Sequence, residues 1–214
     1  MSSLFIRLLA ALALATASFV APAQGATRTL MVFGDSLSAA YGISPSQGWV
    51  NLLGERIARA GLPWKVVNAS VSGETTDGGL RRLGEDLKRH KPDLVLVELG
   101  ANDALRGQPL ATTRKNLETM IRLSREARAE PVLIGLMIPP NYGIEYAREF
   151  SQLYSGTAKK ERVAIVPFLL EGIVERRDLF QPDQLHPTAS AQGMILDTVW
   201  KVVEPLLKSK PAKP

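Results

Sequence analysis

Short uninterrupted apolar runs alternate along the chain with amphipathic stretches. Five runs, at residues 30–33, 65–68, 94–99, 132–137 and 163–166, are continuous rather than alternating, as expected of strands in a parallel sheet covered on both faces. Between them apolar residues recur at spacings of three and four: Trp49, Leu52, Leu53, Ile57 and Ala60; Leu117, Met120, Ile121 and Ser124; Met194, Ile195, Thr198, Val199 and Val202. This periodicity predicts helices with one buried stripe each. Strand and helix in alternation predict a three-layer α/β/α sandwich. Sheets of that kind bind ligands beyond the carboxyl ends of their strands, so chemistry is sought in the loops that follow the apolar runs.

Four of those loops stand out. After the first run comes Gly34-Asp35-Ser36. Glycine permits a tight exit and the serine can lift its hydroxyl over the sheet edge, although the tripeptide alone more often marks a plain turn or helix cap. A serine nucleophile needs a base, usually histidine, and the chain has two. His90 closes a basic stretch before Pro92, where a cation complements a helix C-terminus. His186 follows Asp183 by three residues and precedes Pro187, which biases its backbone towards an extended form and lets the ring project. Asp183 and His186 also suit a helix start or half of a metal site, but no second histidine or cysteine stands at ligand spacing. The third loop is Gly100-Ala101-Asn102-Asp103, whose asparagine can offer an amide to an oxyanion. The fourth, NASVSGETTDGG, contains Gly73 and is followed by a helix starting at Thr75 or Thr76.

Composition changes the picture at the ends. Residues 1–26 carry a single charge, Arg7, an apolar core at 8–20 and small residues at 21–26. They read as a signal peptide cleaved after Ala23 or shortly beyond, and the core is short for a bilayer span. An exported, periplasmic protein with no stable membrane insertion is expected, folding without cysteine. The remaining ~190 residues suit one domain at 27–207, followed by a frayed tail at 208–214. The net charge of +5, or +4 without Arg7, is spread along the chain. Its densest basic spots, Arg81-Arg82 and residues 88–91, fall on one amphipathic helix and read as a solvated face, not a nucleic-acid surface.

Gly34-Asp35-Ser36-Leu37, Gly73, Gly100-x-Asn102-Asp103 and Asp183-x-x-His186 resemble, in order and spacing, the four signature blocks of the GDSL, or SGNH, hydrolase superfamily. The stretches VFGDSLSAAYGI, LGANDALRG, IPPNYG and DQLHPTASAQ are similar to bacterial periplasmic thioesterase I/protease I/lysophospholipase enzymes and arylesterases. The resemblance implies a five-stranded parallel sheet in flavodoxin-like order. It implies Ser36 as nucleophile, His186 as base and Asp183 as its partner, with an oxyanion hole formed by the Ser36 and Gly73 amides and the Asn102 side chain. It implies hydrolysis of small-molecule acyl esters and thioesters by a monomer, without metal or organic cofactor. Asp35 is expected to shape the turn. The loop at 136–146 is expected to border the acyl chain, with Leu105, Ile138, Pro139, Asn141, Tyr142 and Leu185 as wall residues. The alternatives are a carbohydrate O-acetylesterase and a non-catalytic exported binding module.

Overall fold

The computed structural model describes residues 26–209. The proposed leader therefore lies outside the described residues except for Ala26, as does the tail from residue 210. Five parallel strands form one sheet: β1 (Arg28–Gly34), β2 (Trp64–Asn68), β3 (Leu94–Glu98), β4 (Glu130–Ile134) and β5 (Ala164–Val166), in the order β2-β1-β3-β4-β5. This is the flavodoxin-like arrangement that the resemblance implies. Six helices accompany them: α1 (Trp49–Arg59), α2 (Thr76–His90), α3 (Ala101–Leu105), α4 (Leu110–Glu126), α5 (Ile144–Glu161) and α6 (Gln192–Ser209).

The helical stripes account for the layers. α1 and α6 pack together over one face, while α2, α4 and α5 pack side by side over the other. Leu53 and Ile57 of α1, Leu117 and Ile121 of α4, and Ile195 and Val199 of α6 are buried against the sheet. Each fully buried side chain of this size stabilises the fold by ~1.5–3 kcal/mol. In the centre, Leu30–Phe33 and Leu94–Val97 are fully buried, which explains why these runs lack alternation.

Strand order fixes where a site can form. The chain crosses from β1 to β2 and then back to β3, on the other side of β1. The loops beyond β1, β2 and β3 diverge around that reversal and leave a crevice at the carboxyl edge.

Several boundaries differ from the sequence reading. β4 covers 130–134 instead of 132–137: Gly135 N still donates to the Val166 carbonyl at 2.8 Å, but the neighbouring chain then bulges by one residue at Pro167-Phe168 and the regular ladder ends. The next β5-side amide to reach β4 is Leu169 N, which donates to the Gly135 carbonyl at 2.9 Å. The loop expected at 136–146 ends at Gly143, where φ is +107°, and α5 begins at Ile144. α6 continues through Lys208 and Ser209, residues assigned to the frayed tail. Arg82 departs from the solvated-face reading. It turns inward, pairs with Glu74 and Asp86 at 2.6 and 2.8 Å, and lies over the Phe33 ring.

Candidate active site

Ser36 follows β1 in a turn held from several sides. Asp35 Oδ1 accepts from Leu37 N at 3.0 Å, and the Ala39 amide donates to the Asp35 carbonyl at 2.9 Å. The fully buried Trp49 donates its indole N–H to the Leu37 carbonyl at 3.1 Å, tying the turn to α1. The hydroxyl is thereby presented at the crevice.

His186 arrives from the loop before α6. The amides of Leu185 and His186 both donate to Asp183 Oδ1 at 3.0 Å, closing an Asx-type turn. Asp183 Oδ2 lies 2.7 Å from His186 Nδ1, and His186 Nε2 lies 2.9 Å from Ser36 Oγ. A carboxylate on Nδ1 favours the tautomer with hydrogen there and leaves Nε2 as acceptor for the serine proton. Burial pushes the Asp183 carboxyl up, but the two amides and the imidazole outweigh it and hold it at about 2.

The serine turn and the histidine loop are bolted together by Gln181. Its Nε2 donates to the Tyr41 carbonyl at 2.8 Å and to the Pro187 carbonyl at 3.1 Å, and its amide donates to the His186 carbonyl at 2.7 Å. The Tyr41 ring also lies against the imidazole, 4.4 Å between centroids.

Ser36, Gly73 and Asn102, the residues expected to supply oxyanion donors, all line the same cavity. Among the described residues, no protein group accepts from the Ser36 or Gly73 amide. Gly73 adopts φ +76°, a conformation that strains any residue with a Cβ. The Asn102 amide stands at the start of α3, after Gly100 with φ +124°. Its Nδ2 donates to Asp35 Oδ2 at 3.1 Å and to the Glu74 carbonyl at 3.0 Å. Both of its protons are engaged, so a third acceptor must share one of them.

These groups open into a cavity of about 790 Å³. Of the expected wall residues, Leu105, Ile138, Pro139 and Leu185 line it, whereas Asn141 and Tyr142 stand outside the lining. The wall also includes Met137, Phe168, Leu170, Val174 and Phe180, which the sequence reading did not pick out. Four of these follow β5, and for three of them, Phe168, Leu170 and Val174, the apolar run PFLLEGIV beyond that strand was the available signal. His90 ends α2, at a distance from this arrangement along the fold. Glu98 was also overlooked. It is a charged residue closing the otherwise apolar β3, and it is fully buried beneath the serine turn.

Fold and site together define a three-layer hydrolase with a hydroxyl, an imidazole and a carboxylate aligned at the carboxyl edge of a parallel sheet. The chain belongs to the GDSL-like lipase/acylhydrolase family, which residues 32–193 match. It is 47% identical over 184 residues to the esterase TesA of Pseudomonas aeruginosa, covering 86% of this chain and 92% of that protein. It is 40% identical over 186 residues to thioesterase 1/protease 1/lysophospholipase L1 of Escherichia coli, covering 85% and 86%. The crystal structure of TesA superimposes with a TM-score of 0.81 at 46% identity, covering 84% of this chain and 99% of that one.

Proposed function

We propose that this protein is an exported serine esterase that hydrolyses acyl esters and thioesters through Ser36, His186 and Asp183. The observation that carries the reading is the continuous line from Asp183 Oδ2 through the imidazole to Ser36 Oγ, at 2.7 and 2.9 Å, opening into an apolar cavity. Relatives named esterase, arylesterase and thioesterase support the same chemistry.

In the first half-reaction Ser36 Oγ attacks the carbonyl carbon while His186 Nε2 takes its proton. Negative charge grows on the carbonyl oxygen, where the Ser36 and Gly73 amides and an Asn102 proton receive it. His186 then gives the proton to the departing alkoxide or thiolate, leaving Ser36 acylated. Water, deprotonated by the same nitrogen, repeats the sequence and releases the acid. Asp183 holds the ring orientation and balances the imidazolium throughout.

The wall sets the substrate class. Leu105, Ile138, Phe168, Leu170, Phe180 and Leu185 offer an acyl chain an apolar lining, and each methylene buried there contributes ~0.8 kcal/mol. Medium and long acyl chains are therefore the favoured substrates, ahead of the acetyl groups that a carbohydrate O-acetylesterase removes. Residues 1–26 serve as the export signal, residues from 27 form the hydrolase domain, and the mature protein works as a periplasmic monomer. No helix among the described residues is long and apolar enough to cross a membrane.

Hydrolysis of p-nitrophenyl esters from acetate to palmitate tests this reading. The expected result is kcat/KM rising beyond acetate, with no turnover by Ser36→Ala. Highest activity on acetate would overturn the acyl-chain assignment, and ordinary turnover by the variant would overturn the nucleophile.

A further inference from the structure

Two carboxyl groups lie directly beneath Ser36, and the reaction above consumes neither. Asp35 is 1% exposed and Glu98 is fully buried. Glu98 Oε2 accepts from Ser38 Oγ at 2.6 Å and from the Asp35 amide at 3.2 Å, whereas the equally buried Oε1 accepts from nothing among the described residues. Asp35 accepts from the Leu37 amide and from Asn102 Nδ2. The contact through the Asp35 amide makes the two side chains neighbours, and the charge of Asp35 acts on Glu98.

Two adjacent anions removed from water are strongly disfavoured, and sharing a proton relieves the repulsion. The packing leaves Glu98 little room to retreat. A Cβ added at Gly34 would meet Glu98 Oε2 at 2.4 Å, so the glycine of the Gly-Asp-Ser turn provides the space that this carboxyl fills.

We propose that Asp35 and Glu98 form a buried acid pair holding one proton, carried by Glu98, and that the Asp35 carboxylate positions the Ser36 turn and Asn102. The proposal rests on the esterase reading above for the roles of Ser36, His186 and Asn102. Surroundings decide which partner is ionised. Asp35 faces His186, whose positive charge favours the anion. Glu98 faces the Ser38 hydroxyl and the Tyr154 phenol of α5, with Asp103 of α3 acting on the same phenol. None of these is a cation. Burial accordingly raises the Glu98 carboxyl well above its ordinary range, with the Asp35 charge adding to the effect, and pushes Asp35 up to about 6.

Glu98 is thus a positioning residue that acts through Asp35. Its proton lets the pair carry one negative charge instead of two. That charge is shared with the amide of Asn102, which donates to Asp35 Oδ2 at 3.1 Å.

Kinetic pH profiles of two variants and one spectrum test the proposal. Asp35→Asn is expected to lower kcat by roughly 10²-fold, a loss comparable with removing one oxyanion donor. It is also expected to move the acid limb of kcat/KM to lower pH, because the carboxyl pushed up to about 6 no longer titrates there. Glu98→Gln keeps a neutral donor and is expected to leave the acid limb in place, with kcat falling by less than about tenfold. A downward shift in Glu98→Gln, or an unmoved limb in Asp35→Asn, would overturn the assignment of charge. Infrared spectroscopy of the folded wild-type protein at mildly alkaline pH is independent of variant folding. It should show the carbonyl stretch of a protonated carboxylic acid, and absence of that band would sink the acid pair. Labelling the same preparation with a phosphonate separates the two readings. An adduct at Ser36 without the band rejects the pair alone, whereas the band without an adduct rejects the esterase reading.

Discussion

The crevice has two sides built on opposite principles. On one, Ser36, Asn102, Asp183 and His186 are held by hydrogen bonds of 2.7–3.1 Å to groups that are themselves braced. On the other, Leu105, Ile138, Phe168, Leu170 and Leu185 present apolar surface to the cavity. Hydrogen bonds are directional and fix atoms to within tenths of an ångström, whereas dispersion and hydrophobic contact scale with area and tolerate many shapes. Bond-making geometry is therefore concentrated on the first side and acyl-chain selection on the second. Substitutions on the polar side should change kcat, and substitutions on the apolar side should change the preferred chain length.

The largest effect should come from Ser36→Ala, which removes the attacking atom and should cut kcat by about 10⁴-fold or more without unfolding the protein. Stopped assays with p-nitrophenyl butyrate, alongside a thermal melt, check both parts. Asp183→Asn should keep the fold and lower kcat by up to about 10⁴-fold through the wrong tautomer of His186. Asn102→Ala should cost about 10²- to 10³-fold in kcat with little change in KM. On the apolar side, Phe168→Ala should reduce kcat/KM for long-chain esters by roughly tenfold and leave acetate much less affected. An equal loss on all chain lengths would erase the division between the two sides. His90→Ala should be silent in the same assays.

Stability against pH sharpens the comparison between two aspartates of the polar side. Asp183 is held at about 2 against an ordinary 3.8. Its contribution to folding is present above pH 3.8 and disappears as pH falls through 2. Asp35 is displaced the other way, from 3.8 to about 6. Between those values the folded chain binds a proton that the unfolded chain does not, so this group makes stability decline as pH rises through the window. Urea midpoints across pH should show Asp183→Asn flattening the acid end and Asp35→Asn flattening the window from 3.8 to 6.

Legibility in the sequence followed the range of the interaction concerned. All five strands overlap their apolar runs, because complete burial on both faces leaves an unmistakable composition. The ends of β4 and α6 were less visible. β4 stops where its neighbour bulges after Val166, a fact about another strand, and α6 runs on to Lys208 and Ser209 despite Pro205, a residue that ordinarily signals a helix end. The polar groups of the site were legible because they occupy short motifs at strand ends. Gln181 and Glu98 were not, since a glutamine joining two loops and an acid beneath a turn acquire meaning only once residues 140 and 63 positions apart are in contact. The wall residues after β5 were hidden for a related reason: an apolar run without helical or strand period looks the same whether it lines a core or a cavity.

The most direct measurement is mass spectrometry of the protein after reaction with a long-chain alkyl phosphonate that carries a p-nitrophenyl leaving group. The account expects one adduct per chain, mapped to Ser36, abolished in Ser36→Ala and formed much more slowly in His186→Ala. An unmodified Ser36, or an adduct on another residue that accompanies loss of activity, would contradict it.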